Sequence, residues 1–178
     1  KSKYGITLTE LVVALALALM LLLVMLELQS HGISESANRK RCLANLKQIG
    51  LACALYQEKN NDFLPYKDSY QFLGQLYSGG FLQDPNVYLC PSGVSTATTD
   101  GSFDKDDCSY AGRDNVTHRL TSGLIAKFGS RTALSGDNRT LHHEDVVEVL
   151  FGDGHVDEVD TGDMGQYQQV VSKLGAES

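Results

Sequence analysis

The chain has little proline, little cysteine and none of the short motifs that mark catalysis. Its three prolines, Pro65, Pro85 and Pro91, all lie beyond the first third of the chain, so nothing before them forces a helix to kink. Four cysteines, Cys42, Cys53, Cys90 and Cys108, occur without a C-x-x-C pair, which argues against zinc-ribbon and thioredoxin-like readings. There is no G-x-S-x-G elbow, and His142-His143-Glu144 does not complete H-E-x-x-H. No Gly-rich phosphate loop opens a helix. Ser135, Asp137, His142, His143 and His155 can be drawn as a hydrolase constellation, but no motif supports one, and no enzymatic activity is expected. Positive charge is scarce where the chain is largest. Residues 59–178 hold nine Lys/Arg against eighteen Asp/Glu, while residues 1–58 hold six against four. So acidic a body disfavours nucleic acid as a partner. It favours solubility, repulsion between neighbours, or divalent cations.

What is present is one long apolar run. Leu11 to Leu26 reads LVVALALALMLLLVML, sixteen residues without a charge, a Gly or a Pro. With Ile6, Leu8 and Leu28 it approaches the ~20 residues that span a bilayer's hydrocarbon core. It is too long for the apolar part of a secretory signal, and no small-residue cleavage site follows it. A simple one-pass anchor is a fairer rival. Lys1 and Lys3 suggest a cytoplasmic N-terminus, although Arg39-Lys40-Arg41 beyond the span weakens that asymmetry. Glu10 interrupts the apolar stretch. A carboxylate at membrane depth is costly unless partnered, which makes it a functional candidate. Alternatively it is a helix N-terminal carboxylate at the interface, eased by the helix dipole.

Beyond Gln29-Ser30-His31-Gly32 the pattern changes. Cys42, Leu46, Ile49, Cys53 and Tyr56 step by four and three, one stripe of an amphipathic helix. The spacing predicts a single helical rod from about Ile6 to about Glu58, nearly ~80 Å long. About 120 residues then remain for one globular body. Asn60-Asn61-Asp62 ends the rod. Asp68 to Tyr77 reads as a short helix capped by Asp68 and stopped at Gly79-Gly80. Short strands are expected at Val87–Cys90, Cys108–Ala111, Leu124–Phe128 and Thr132–Ser135, with a turn at Gly136-Asp137-Asn138. Val146–Phe151 and His155–Val159 form a hairpin about Gly152-Asp153-Gly154. Gln166–Leu174 is expected to be a terminal helix.

The cysteines and the acids offer two further sites. Cys42 and Cys53 share a stripe but stand ~16 Å apart along the helix, too far to bridge. Cys90 and Cys108 flank an acidic loop, and closing it would contribute about 3 kcal/mol in the chain-entropy model. Pairing of one of them with Cys42 or Cys53 is the alternative. In the loop itself, Asp100, Asp104, Asp106 and Asp107 do not follow EF-hand spacing. Asp153, Asp157, Glu158, Asp160 and Asp163 cluster in sequence near the hairpin's far end, hard oxygen donors of the kind that hold Ca²⁺. Asn115-Val116-Thr117 and Asn138-Arg139-Thr140 fit the short glycosylation pattern, which also occurs by chance.

Four stretches carry resemblances to known families. Gly5-Ile6-Thr7-Leu8-Thr9-Glu10-Leu11, preceded by Lys1 and Lys3, resembles the N-terminal signature of type IV pilin-like proteins. Arg41-Cys42-Leu43-Ala44-Asn45-Leu46-Lys47-Gln48-Ile49-Gly50, Tyr88-Leu89-Cys90-Pro91-Ser92 and Leu150-Phe151-Gly152-Asp153-Gly154-His155-Val156 together resemble a pilin-like family of planctomycetes and related bacteria. The resemblance implies an α+β, type IV pilin-like fold: a long N-terminal helix against a small antiparallel sheet, with a variable, disulfide-containing C-terminal region. It implies residues 1–5 as a leader, 6–30 as the filament-core or transmembrane half of the helix, and 31–178 as the head. It implies cleavage after Gly5 by a prepilin peptidase, methylation of the new amine on Ile6, and neutralisation of a neighbour's N-terminus by Glu10. If the leader stays, a neighbour's Lys1 or Lys3 takes that part. The implied product is a homo-oligomeric helical filament, drawn from the inner membrane by the pilus machinery and displayed outside the cell. The rival is a pseudopilin of a type II secretion system. The acidic hairpin end resembles, in position only, the calcium loop of major pseudopilins, which makes Ca²⁺ the one cofactor to test.

Overall fold

The computed structural model describes residues 7–93, 97, 102–137 and 146–162, with the side chains of 26–34 left aside. The chain divides into two units, Lys1–Ala37 and Asn38–Ser178. The first is the start of helix α1, Leu8–Lys59. The helix passes Gly32 unbroken, since one Gly costs only up to ~1 kcal/mol within a helix of 52 residues. It stops where expected: Asn61 and Asp62 take positive φ, a conformation that Asn and Asp tolerate better than most residues.

In the second unit the amphipathic stripe does what its spacing requires. Cys42, Leu46, Ile49, Ala52 and Cys53 are buried and share one core with Phe72, Leu73 and Leu76 of α2 (Ser69–Ser78). Helix α2 ends at Gly79 and Gly80, whose N–H groups reach the carbonyls of Gln75 and Tyr77. Asp68 stands at its N-cap without a side-chain hydrogen bond. The sheet packs against α2 and is antiparallel throughout, in the order β1 (Tyr110–Gly112), β2 (Ala133–Asp137), β3 (Val146–Phe151), β4 (Val156–Asp160). Two glycines show how close the helices come. A Cβ on Gly112 would lie 2.5 Å from the Ser69 carbonyl, and one on Gly50 would lie 2.9 Å from Leu150 Cδ1.

The sheet buries both faces. Tyr110, Leu134 and Leu150 join the helical core. Ala111, Ala133, Val147, Val149, Phe151 and Val159 form a second, smaller cluster. Strand β3 lies between β2 and β4, so Val147 and Val149 meet one cluster while Glu148 and Leu150 point to the other, by the two-residue period of a strand.

Two expected strands are helical turns instead. Pro85–Tyr88 is a 3₁₀ turn, opened by Asp84, whose carboxylate accepts from the Asn86 N–H at 3.0 Å. Ser122–Phe128 is a helix, α3, with Thr121 at its N-cap. Both are short apolar runs, for which periodicity does not separate strand from helix. Gly136 and Asp137 belong to β2 rather than to a turn. Asn138 and the expected helix at Gln166–Leu174 lie outside the described residues.

The loop from β1 to α3 is pinned by side chains. Arg113 is buried and gives Nη1 to the Ala133 carbonyl at 2.9 Å, with Nε and Nη2 on that of His118. Asn115 is 1 % exposed. Its Nδ2 donates to Leu64 and Pro65 carbonyls, and its Oδ1 accepts the Leu120 N–H at 2.7 Å. An amide so placed is a structural pin and is closed to glycosylation in the folded chain. Asn115→Leu should cost about 3 kcal/mol, because buried partners lose their hydrogen bonds. A urea midpoint equal to the wild type's would remove Asn115 from this role.

Candidate functional site

The first candidate is the apolar surface of α1. Leu8–Met25 is long and apolar enough to cross a membrane, and among the described residues none of it is buried. Its large apolar side chains are 49–78 % exposed, from Leu8 through Leu17 to Met25. A helix apolar all round is stable only where something other than water surrounds it. Such a segment suits a signal or a membrane anchor.

Glu10 sits at the start of this surface and is held locally. Thr7 is the N-cap of α1, and Glu10 is the third helical residue. The Thr7 N–H donates to Glu10 Oε2 at 2.9 Å, and the Glu10 N–H donates to Thr7 Oγ1 at 3.3 Å. The Thr7 hydroxyl also donates to Glu10 Oε2 at 2.8 Å. This is a reciprocal capping box, which satisfies two of the donors left over at a helix start. Its signal, Thr-x-x-Glu before an apolar run, stands in the sequence but does not enter the filament reading of Glu10. Gly5 and Ile6 lie outside the described residues.

The acidic hairpin end is not drawn together. Asp153 occupies the β3–β4 turn, where its Oδ1 meets the Nδ1 of His155, whose ring stacks on Phe151 at 4.5 Å. Slight burial works against the Asp153 carboxylate, but the His155 ring and N–H outweigh it and hold the group below its ordinary range. Asp157 lies opposite Val149 in β4, and Asp160 ends the strand, accepting the Gly162 N–H at 2.7 Å. A strand advances ~3.3 Å per residue, so Asp157 and Asp160 stand apart along β4 while Asp153 lies in the turn before it. No three His, Cys, Asp or Glu side chains among the described residues converge as metal ligands. Asp163 lies outside them. Of the acidic loop, Asp104 and Asp107 form a capping box about the 3₁₀ turn Lys105–Asp107.

All four cysteines are buried free thiols here, Cys90 and Cys108 of the expected pair included. The Cys108 thiol donates to the carbonyl of Tyr110, the first residue of β1, at 3.0 Å. Cys90 meets the thiol of Cys42. Around this pair lies a buried polar cluster that the sequence does not announce. Tyr110 is fully buried, and burial together with Cys42 pushes its hydroxyl's pKa up. The Asp137 Oδ2 accepts the Glu148 N–H at 3.3 Å. Glu148 is fully buried, and burial first, then the neighbouring Asp137, raises its carboxyl to about 8. Ser135 is also buried, and its hydroxyl donates to the Ala111 carbonyl at 2.9 Å. His142 and His143 lie outside the described residues.

Comparison with known protein families, with curated proteins and with solved structures finds no match to this chain.

Proposed function

We propose that the chain is the structural subunit of an extracellular filament of the type IV pilus kind, with a type IV pilin-like fold. The observation that carries the reading is the uncovered helix surface from Leu8 to Met25. Water is the one environment it must avoid. Full burial of a large apolar side chain is worth roughly 1.5–3 kcal/mol, and more than a dozen stand exposed here. A bilayer covers them before assembly. A bundle of the same segment from other copies covers them afterwards, packed by close contact between like helices. An open contact that repeats without closing gives a fibre rather than a ring.

Glu10 sets the stagger. In the single chain its carboxylate rests on Thr7. In the fibre it turns to the N-terminal amine of a neighbouring copy, the amine of Ile6 once a prepilin peptidase has cut after Gly5 and methylated it. A charge pair buried among apolar helices is satisfied in one register and broken in others, at a cost of several kcal/mol. The acidic head stays in water and keeps fibres apart.

Shearing the surface of expressing cells tests this. The sheared fraction should contain thin fibres by electron microscopy and this chain by mass spectrometry, with an N-terminus at Ile6 carrying one methyl group. A chain recovered wholly in the membrane fraction, with Lys1 to Gly5 still attached, would contradict the reading.

A further inference from the structure

We infer that Cys42 and Cys90 form a disulfide that staples the amphipathic half of α1 to the segment after the Pro85–Tyr88 turn. Both residues are buried, at 0 % and 3 % exposure, within one core. Their thiols are hydrogen-bond partners. The backbones are held together from beside them. Asn45, one turn along α1 from Cys42, donates Nδ2 to the Leu89 carbonyl at 2.9 Å, next to Cys90. Arg41 and Cys90 share the wall of an open cleft of about 410 Å³. The other cysteines are placed elsewhere. Cys108 is committed to the Tyr110 carbonyl, and Cys53 lies three turns further along α1.

The chemistry is thiol–disulfide exchange with a disulfide oxidant, such as an oxidised dithiol protein outside the cytoplasm or glutathione disulfide. One cysteine thiolate attacks the oxidant's disulfide and expels one thiol. The second cysteine attacks the mixed disulfide, forms the Cys42–Cys90 bond and expels the other thiol. The two cysteine protons pass to the leaving thiolates, and the two electrons reduce the oxidant. The contact with Cys90, and burial, disfavour the Cys42 thiolate in the closed core. The bond therefore forms while the chain folds, before the core excludes the oxidant. It joins residues nearly fifty apart, which constrains the unfolded chain more than the Cys90–Cys108 loop would. The inference concerns the head alone and stands whether or not the chain forms a fibre.

The test refolds the reduced full-length chain in detergent with glutathione disulfide, then denatures it in acid, alkylates it and maps its peptides. Two alkylated thiols, at Cys53 and Cys108, and a joined pair of peptides holding Cys42 and Cys90 are expected. Reduction should lower the melting temperature by roughly 10 °C. Cys42→Ser should melt with the reduced wild type and leave Cys90 alkylated. Four alkylated thiols in the wild type, a Cys90–Cys108 bond, or a Cys42→Ser chain that melts with the oxidised wild type would overturn the inference.

Discussion

Glu10→Gln should reduce fibre yield at least tenfold and leave the melting of the head unchanged. The substitution separates two roles that the wild-type carboxylate combines. A Gln at the third helical position still accepts from the N-cap N–H, so the box with Thr7 survives. What disappears is the negative charge. If Glu10 serves only to start the helix, Glu10→Gln assembles as the wild type does, and Glu10→Leu costs only the ~1 kcal/mol of a lost cap. If it answers a neighbour's amine, Gln and Leu both leave a charge buried among apolar helices without its counterpart. That loss is several kcal/mol at each subunit contact, and a tenfold change needs only about 1.4 kcal/mol. Sheared fibre quantified on gels, beside the head's melting curve, distinguishes the cases. Normal yield from Glu10→Gln would remove the charge from the mechanism.

The second large effect is a dependence of stability on pH centred on Glu148. Its carboxyl titrates at about 8 in the folded chain against an ordinary 4.5. The folded state therefore holds a proton that the unfolded state has lost between these values. The resulting stability is complete below about pH 4.5 and is lost as pH climbs through about 8. At ~1.4 kcal/mol for each tenfold difference in proton affinity, the fall reaches at most roughly 5 kcal/mol. Glu148→Gln keeps the shape and is neutral at every pH. It should flatten the profile and exceed the wild type by about 2 kcal/mol or more at pH 9, with little difference near pH 5. Urea unfolding of both chains from pH 5 to 9 measures this. Parallel profiles for the two chains would show that Glu148 does not carry the dependence.

Long, periodic signals were legible in the chain. The rod, helix α2 and the β3–β4 hairpin follow from patterns of eight residues or more, in which each position supports the next. The apolar run could be seen with no structure at all. Short runs misled. Val87–Cys90 and Leu124–Phe128 look like strands by composition, and only local devices set them right: Asp84 before Pro85, and Thr121 before Ser122. The thiol pair was only half legible, because which cysteine meets Cys90 depends on how α1 lies along the core. Glu148 was the least legible of all. In the sequence it is a lone acid in a strand where Val147, Val149 and Phe151 alternate with Glu148 and Leu150. Strand β3 is covered on both sides, so no outward side exists there.

The central claim is that copies of one helix cover each other from water, and imaging the fibre reaches it most directly. Cryo-electron microscopy of the sheared fraction should place the Leu8–Met25 segments side by side in an axial bundle, with the acidic heads around it and Glu10 beside the N-terminus of a neighbouring copy. A fibre whose axis is built from heads, or a chain that stays single in lipid under conditions where the cells are active, would contradict it.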